Sequence, residues 1–191
     1  MPKVLIPLAQ GCEELEAVTL IDLLRRANIT VITASLTERR QIKASRDVQL
    51  VADVTLEDVI YDDFDMIVLP GGQPGTDNLN ADPHIHAILK RLVQADKAIA
   101  AICAAPLVFA SSGLLEGKSA TCYPGVLTAD EWPNISLKDD AVVIDGKVFT
   151  AQGPGTAIDF ALAIIEYLTD KATRIHVEAD LVRPSSRGVL H

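Results

Sequence analysis

An α/β fold with a mostly parallel sheet, covered by helices on both faces, is the architecture that this sequence predicts. Predicted strands and helices alternate along the 191 residues, as they do in chains built from βαβ units. Two of the strand segments, KVLIPLA (3–9) and DMIVLPGG (65–72), are apolar almost throughout. A strand without alternating polar residues is buried on both faces, which is typical of a parallel sheet between two helical layers.

The first half of the chain predicts strands from apolar or β-branched runs and helices from apolar residues three or four positions apart. The segment VQLVADV (48–54) is the weakest strand candidate, because its pattern suits half exposure. In order, the predicted elements are a strand over 3–9, a helix over 13–27, strands over 29–35, 48–54 and 65–72, and a helix over 82–95.

The second half opens with AIAAICAAPLVFASSG (98–113), which predicts a buried strand and then a short helix ending at a glycine. Cys103 stands at the joint between the two. Asp145-Gly146 lies between two apolar arms and predicts a β-hairpin. The remaining elements are a strand over 119–123, the hairpin over 141–152, and helices over 153–168 and 171–182.

Composition and charge exclude several classes of function. A net charge of −9 does not suit a surface that follows nucleic-acid phosphates. The first residues lack the pattern of a signal peptide, and the longest apolar run, 98–110, contains a proline and is shorter than the roughly 18 residues of a membrane span. We therefore expect a cytoplasmic protein without nucleic-acid or membrane partners. One domain is expected over residues 1–183, with a flexible tail over 184–191.

Cys103 is the first candidate for a reactive group. The three cysteines and four histidines show neither a disulfide framework nor metal-ligand spacing, so no metal site is predicted. A thiol at a strand-to-helix turn faces unpaired N–H groups and the helix dipole, which favour the thiolate. The backbone N–H groups of Ala104 and Gly72 are candidates for holding an oxyanion there. The alternative, that Cys103 is a small buried hydrophobe, stays open.

A carboxyl group near the same sheet edge is the second candidate. Glu16 lies in the segment GCEELEAV (11–18), four residues before Leu20. It therefore extends the buried face of the first helix. A carboxyl buried there is expected to have a raised pKa and to hold or accept a proton. Glu13 lies four residues before Ala17 and competes for this role. Spacing alone does not choose between them.

Two weaker signals remain. QGPGT (152–156) precedes a helix and suits either an anion cradle or a tight turn, and the tight turn is the better interpretation without a lysine. Arg26 and Arg46 are candidate anchors for a substrate or a sulfinate, although an isolated arginine is also typical of a solvated surface.

Several motifs occur together in one order: GCEELEAV (11–18), ASRDV (44–48), VLPGG (68–72), AAICAAP (100–106) and QGPGTAIDFALAI (152–164). On these motifs the chain resembles the ThiJ/PfpI superfamily, in the branch that holds the parkinsonism-associated protein deglycase and its bacterial ThiJ-like relatives. The resemblance extends from about residue 3 to residue 183.

The resemblance implies a flavodoxin-like, doubly wound α/β/α sandwich that forms homodimers and uses no metal or organic cofactor. It implies that Cys103 is the oxidisable nucleophile, that Glu16 rather than Glu13 is the buried acid beside it, and that Gly72 and Ala104 supply the oxyanion N–H groups. Residues expected to line the pocket or bind substrate are Glu13, Arg26, Arg46, Tyr123 and Pro154.

One position departs from the family pattern. The branch often has a histidine beside the cysteine, but the corresponding segment here reads TCYPG, with Tyr123 in that place. Tyrosine donates a hydrogen bond but is not a base at neutral pH. Protease chemistry, which needs a Cys–His pair, is therefore not expected, and Glu16 would carry out all proton transfer.

The resemblance implies an enzyme of the glyoxalase III or protein deglycase type, whose substrate is a small dicarbonyl or a glycated protein. The alternative is an oxidative-stress sensor or redox-regulated chaperone with little turnover, in which Cys103 oxidises. Cys122 is a candidate resolving thiol for oxidised Cys103, although a core position for its side chain is the stronger interpretation.

Overall fold

The computed structural model describes residues 1–183, and its centre is a seven-stranded sheet in the order β10-β11-β7-β6-β1-β2-β5. Every neighbouring pair is parallel except the β10–β11 hairpin. The α/β prediction and the added hairpin are confirmed. The strands are β1 Lys3–Leu8, β2 Thr30–Ser35, β3 Gln41–Lys43, β4 Gln49–Val51, β5 Val54–Thr55, β6 Met66–Leu69, β7 Ala98–Ile102, β8 Ser119–Ala120, β9 Ser136–Leu137, β10 Val142–Asp145 and β11 Val148–Ala151.

Helices cover both faces of the sheet and enclose two hydrophobic clusters. One cluster joins the sheet to α1, α5 and α6, with Leu20, Phe160 and Val177 among its members. The other joins the sheet to α2, α3 and α4. The helices are α1 Glu14–Arg26, α2 Gly75–Ala81, α3 Pro83–Gln94, α4 Pro106–Ser111, α5 Ala157–Leu168 and α6 Lys171–Asp180. Among the described residues, none of the helices combines the length and apolar character that a membrane span requires.

The structure differs from the predicted elements at short segments with little apolar periodicity. Helix α2 is absent from the prediction, because GTDNLNA buries only three of its residues and follows a proline. The strand predicted over 48–54 is broken into β4 and β5. Asp53 lies at the break, where its carboxylate accepts hydrogen bonds from Thr33 and Arg25. The predicted tail over 184–191 lies outside the described residues.

The candidate site lies at the carboxyl edge, which we define as the sheet edge formed by the carboxyl ends of β1, β6, β7 and β11. These four parallel neighbours end at Leu8, Leu69, Ile102 and Ala151. The segments that follow them hold the Gly11–Glu13 turn, Gly71-Gly72, Cys103 and the 152–156 turn. Ligands of doubly wound sheets bind at such an edge.

Candidate active site

Cys103 adopts a backbone conformation that few residues with a side chain tolerate. Its φ is +65°, in the left-handed region that costs most non-glycine residues energy. Two hydrogen bonds hold it there: its N–H donates to the Ala151 carbonyl at 2.9 Å, and its carbonyl accepts from the Tyr123 N–H at 2.7 Å. Cys103 is buried in this turn, with 8% of the residue exposed.

Two glycines let the β6 loop pass between Cys103 and the start of α1. A Cβ atom on Gly71 would lie 2.7 Å from the Cys103 Cβ. Gly72 has a φ of +90°, and a Cβ there would lie 2.4 Å from the Glu13 nitrogen. The Glu13 N–H donates to the Gly71 carbonyl at 2.8 Å. Only glycines fit this close approach without moving the backbone of α1 or of Cys103.

Glu16 is a fully buried acid beside the Cys103 thiol. Its Oε2 accepts a hydrogen bond from the Gly71 N–H at 2.8 Å. The other oxygen, Oε1, is buried without a well-aligned hydrogen-bond partner within residues 1–183. Burial raises the pKa of Glu16 to about 7, against the opposing effects of the Gly71 N–H and the Cys103 thiol. The carboxyl therefore exchanges a proton near neutral pH, and its free oxygen is a site for that proton.

Glu13 has a different task. It is the N-cap of α1, and its Oε2 accepts a hydrogen bond from the Glu16 N–H at 2.7 Å. Capping satisfies a helix donor that would otherwise lack a partner. The geometry thus separates the two acids that spacing alone left as alternatives: Glu13 caps the helix, and Glu16 lies against the cysteine.

The environment of the Cys103 sulfur corrects one expectation from the sequence. Burial, followed by the charge and the hydrogen bond of Glu16, raises the pKa of the thiol to about 12. The backbone N–H groups of Gly72 and Ala104 act in the opposite direction and lower the pKa of the thiol. The expected lowering by a helix dipole is outweighed, because α4 begins only at Pro106 and spans six residues. Protonation of Glu16 removes its charge, so a thiolate beside a neutral acid is the form that the site favours for reaction.

Tyr123 and Pro154 border the same turn. Tyr123 is half-exposed, and its ring packs on Gly153, where a Cβ would lie 3.3 Å from the ring. Pro154 begins the 3₁₀ turn Pro154–Thr156, in which the Thr156 hydroxyl donates to the Gly153 carbonyl at 2.9 Å. The QGPGT segment is thus a tight turn closed by its own threonine.

Within one chain, neither Arg26 nor Arg46 forms a hydrogen bond with Cys103. Arg26 is the last residue of α1, paired with Asp22 at 2.9 Å, and ten residues of helix put it about 15 Å along the axis from Glu16. This separation within one chain does not support a place in the pocket, and the assignment of Arg26 stays a prediction. Arg46 is exposed, and its backbone N–H donates to the Glu14 carboxylate at 2.8 Å.

Glu14 is a buried acid for which no role was predicted from the sequence. Burial raises its pKa, but hydrogen bonds from its own N–H, from the Ser45 hydroxyl and from the Arg46 N–H outweigh that effect and lower it overall. Glu14 therefore stays ionised and ties α1 to the loop that carries Arg46. The only signal in the sequence was its place in the acidic run 13–16.

The other two cysteines lie in different environments. Cys12 is fully buried, and burial followed by the charges of Glu14 and Glu13 raises the pKa of its thiol to about 12. Cys122 packs against the cluster beneath α2, α3 and α4, whereas Cys103 belongs to the cluster on the other face of the sheet. Because the two side chains pack in different clusters, this placement does not favour a resolving role. Within residues 1–183, no group of His, Cys, Asp and Glu side chains is arranged to hold a metal ion.

These features define a class of protein: an α/β sandwich with a cysteine on the strand-to-helix turn and a buried carboxyl beside it. The chain belongs to the DJ-1/PfpI family, whose family model matches residues 2–167. The resemblance predicted from the sequence motifs is confirmed.

Similar proteins agree in sequence and in fold. Protein DJ-1 homolog B of Arabidopsis thaliana is 42% identical over 166 residues, which are 86% of this chain and 37% of the plant protein. The chain thus spans less than half the length of that relative. A glutathione-independent glyoxalase of Caenorhabditis elegans is 36% identical over 165 residues, 86% of this chain and 87% of that protein. The crystal structure of Drosophila melanogaster DJ-1beta has a TM-score of 0.91 and 40% identity, and covers 96% of this chain and 99% of its own.

Proposed function

We propose that the protein is an enzyme that converts reactive dicarbonyls, or their early adducts with amines, through the Cys103 thiolate and Glu16. The observation that carries the proposal is the fully buried Glu16 carboxyl, which has one unpaired oxygen beside a cysteine in a strained turn. The name of the Caenorhabditis elegans relative, a glutathione-independent glyoxalase, supports the same chemistry.

The first step is addition of sulfur to an aldehyde. The Cys103 thiolate attacks the aldehyde carbon of methylglyoxal, a C–S bond forms, and the carbonyl π electrons move to oxygen. The N–H groups of Gly72 and Ala104, which lower the pKa of the Cys103 thiol, are the donors that stabilise the developing alkoxide. Neutral Glu16 then gives its proton to the alkoxide, which completes a hemithioacetal.

The second step moves a hydrogen between neighbouring carbons. Ionised Glu16 removes the proton from the former aldehyde carbon, which gives an enediol, and returns it to the adjacent carbon. The product is a thioester of a 2-hydroxy acid on Cys103. Water hydrolyses the thioester, releases the acid and regenerates the thiol, so the sum is dicarbonyl plus water to 2-hydroxy acid. A pKa near 7 suits a group that must both donate and accept a proton.

The direct test is product identification by proton NMR with methylglyoxal and no added thiol. The proposal expects lactate to accumulate in many equivalents per protein. In D₂O the carbon-bound hydrogen would show whether the transferred proton exchanges with solvent. A parallel reaction with a methylglyoxal-treated peptide tests whether amine adducts are also substrates. Consumption of methylglyoxal without lactate would contradict the proposed chemistry.

A second candidate function is oxidative-stress sensing or redox-regulated chaperone activity through Cys103. It is favoured by the same unpaired Glu16 oxygen, since a protonated carboxyl there is able to donate a hydrogen bond to a sulfinate. Peroxide separates the two functions: an enzyme loses lactate formation in proportion to Cys103 oxidation, whereas a sensor gains binding or holdase activity as Cys103 oxidises.

We also propose that the chain forms a homodimer through the exposed side of α1. Leu15 and Val18 are 52% and 47% exposed there, and Val48 is 45% exposed in the loop that Glu14 ties to α1. Exposed apolar side chains in one patch are typical of an interface.

Dicarbonyls and their amine adducts remain the proposed substrates. A cytoplasmic location remains a prediction.

Light scattering tests the dimer. At micromolar concentration we expect twice the mass of the chain, and V18E should shift the sample to monomer because it buries a charge in the interface. The control is I175E on α6, where Ile175 is 49% exposed outside this patch. A wild-type monomer, or equal dissociation by both variants, would contradict an interface on α1.

A further inference from the structure

His86 connects three helices through both nitrogens of its ring. It lies in α3, where its Nδ1 is 2.7 Å from the Ser112 hydroxyl and its Nε2 is 2.7 Å from the Asn80 carbonyl. A carbonyl only accepts, so Nε2 carries the hydrogen and donates to Asn80. The Ser112 Oγ is 2.7 Å from the Val108 carbonyl oxygen as well as from Nδ1 of that neutral tautomer, so its single hydrogen is shared between these two acceptors.

The partners of His86 lie at the carboxyl ends of two short helices. Asn80 is in the last turn of α2, and Ser112 is the C-cap of α4. Carbonyl groups in the last turn of a helix have no partner within that helix, so the bond from Nε2 satisfies one that would otherwise need water. His86 is thus bonded to the end of α2 and to the end of α4 at the same time.

The amino-terminal ends of these helices, which begin at Gly75 and Pro106, bond to the carbonyl groups of Gly72 and Ala104, the residues whose N–H groups lower the pKa of Cys103. The Thr76 N–H of α2 donates to the Gly72 carbonyl at 2.8 Å. The Leu107 N–H of α4 donates to the Ala104 carbonyl at 3.1 Å. With seven and six residues, α2 and α4 are rods of about 10 Å, and a tilt at one end displaces the other.

Helix α2 has few other polar attachments at this end. Thr76 Oγ1 and Asn80 Oδ1 are buried and have no hydrogen-bond partner within the described residues. The side chain of Asn78 does bind the Gln10 carbonyl at 2.9 Å, but on the side of α2 that meets the β1 loop. The His86 bond is therefore a principal polar restraint on the carboxyl end of α2.

We propose that His86 is a positioning residue, which ties α2 to α4 and thereby holds the N–H groups of Gly72 and Ala104 at the Cys103 sulfur. The importance of His86 for turnover rests on the proposed dicarbonyl function. The effect of His86 on the reactivity of the Cys103 sulfur does not depend on that function. Two measurements on the same variants separate these claims: alkylation of Cys103 by iodoacetamide across pH 5–9, and lactate formation from methylglyoxal.

H86L removes both bonds and should shift the pH profile of Cys103 alkylation to higher pH, because displaced N–H groups stabilise the thiolate less. We expect alkylation at pH 7 to slow about threefold and lactate formation to fall about tenfold, less than the loss of a whole oxyanion donor. S112A removes the contact of His86 with the end of α4, together with the bond of the Ser112 hydroxyl to the Val108 carbonyl. H86Q keeps a donor near the Nε2 position and should match S112A, with a smaller effect than H86L.

The matched control is H84L, two residues away in the same helix, where the exposed imidazole makes only a 3.6 Å contact with Asp82. It should leave both measurements within twofold of wild type, and thermal melting identifies any variant that is only unstable. If H86L and H84L give the same alkylation profile as wild type, the positioning role is wrong. If no protein forms lactate but H86L still shifts the profile, the dicarbonyl function fails and the positioning role stands.

Discussion

Replacing Cys103 with serine should lower lactate formation from methylglyoxal at least about 1000-fold, the loss that follows removal of a catalytic nucleophile. A serine hydroxyl fits the same turn, but it does not ionise near neutral pH, and Glu16 is not basic enough to deprotonate it in the ground state. The measurement is the initial rate of lactate formation at matched protein concentration. Because serine preserves the volume at the turn, loss of folding is not expected to explain the result.

The control for this substitution is C12A. Cys12 is also buried and also has a pKa raised to about 12, but the N–H groups of Gly72 and Ala104, which lower the pKa of Cys103, have no such effect on its thiol. We expect C12A to retain turnover within about twofold. A C103S variant with more than a tenth of the wild-type rate would show that Cys103 is not the nucleophile. Either a different nucleophile would then form lactate, or Cys103 would serve as an oxidation sensor.

Replacing Glu16 with glutamine should lower turnover by about 100-fold to 1000-fold, within the usual range for loss of general acid–base catalysis. Glutamine keeps the size of the side chain and an oxygen for the Gly71 N–H, but it neither gives nor takes a proton. The fall should appear in kcat more than in KM, because both roles of the carboxyl occur after substrate binds. A rate for E16Q within threefold of wild type would contradict the proposed proton transfer.

The same substitution should make the protein more stable above neutral pH. The pKa of Glu16 is raised by burial from 4.5 to about 7, so the folded state holds its proton over a pH range in which the unfolded chain has lost it. The free energy of unfolding therefore falls as the pH rises through this window, and the loss is complete above pH 7.

The shift in the pKa of Glu16 corresponds to a decrease of about 3 kcal/mol in the free energy of unfolding, since each pKa unit is about 1.4 kcal/mol. Urea titrations at pH 5 and pH 8 should show this decrease for wild type and a much smaller one for E16Q. At pH 8, E16Q should be the more stable protein although it is nearly inactive. Equal pH dependence of the two proteins would mean that Glu16 is ionised in the folded state at all of these pH values.

Much of this fold could be predicted from the sequence, because its central strands are buried on both faces. The strands β1, β6 and β7 have few polar residues, and that pattern fixes a covered parallel sheet. Helix α2 was missed because its place depends on tertiary contacts. A Cβ on Gly75 would lie 2.6 Å from the Cys12 nitrogen, so α2 begins where the β1 loop requires close approach rather than where an apolar stripe starts.

The candidate site was predictable in its parts but not in its geometry. The strand-to-helix joint placed Cys103 correctly, yet nothing local indicates a φ of +65°, which depends on Ala151 and Tyr123 far along the chain. Spacing left Glu13 and Glu16 as alternatives, because both begin the same helix and only the position of the Gly71 loop distinguishes cap from buried acid. His86 had no signal at all, since its partners are a main-chain carbonyl and a serine 26 positions away.

The competition among the three thiols for iodoacetamide at pH 7 tests the central claim, that Cys103 with Glu16 forms a reactive centre. Exposure alone favours Cys122, which is only half-buried, while Cys103 is 8% exposed and Cys12 is fully buried. If the N–H groups of Gly72 and Ala104 stabilise the Cys103 thiolate beside a protonated Glu16, peptide mass mapping after brief labelling should show Cys103 modified at least about tenfold faster than either of the others, and E16Q, which removes the carboxylate charge that raises the pKa of the thiol, should keep that preference. Labelling of Cys122 first, with Cys103 unmodified, would contradict the account.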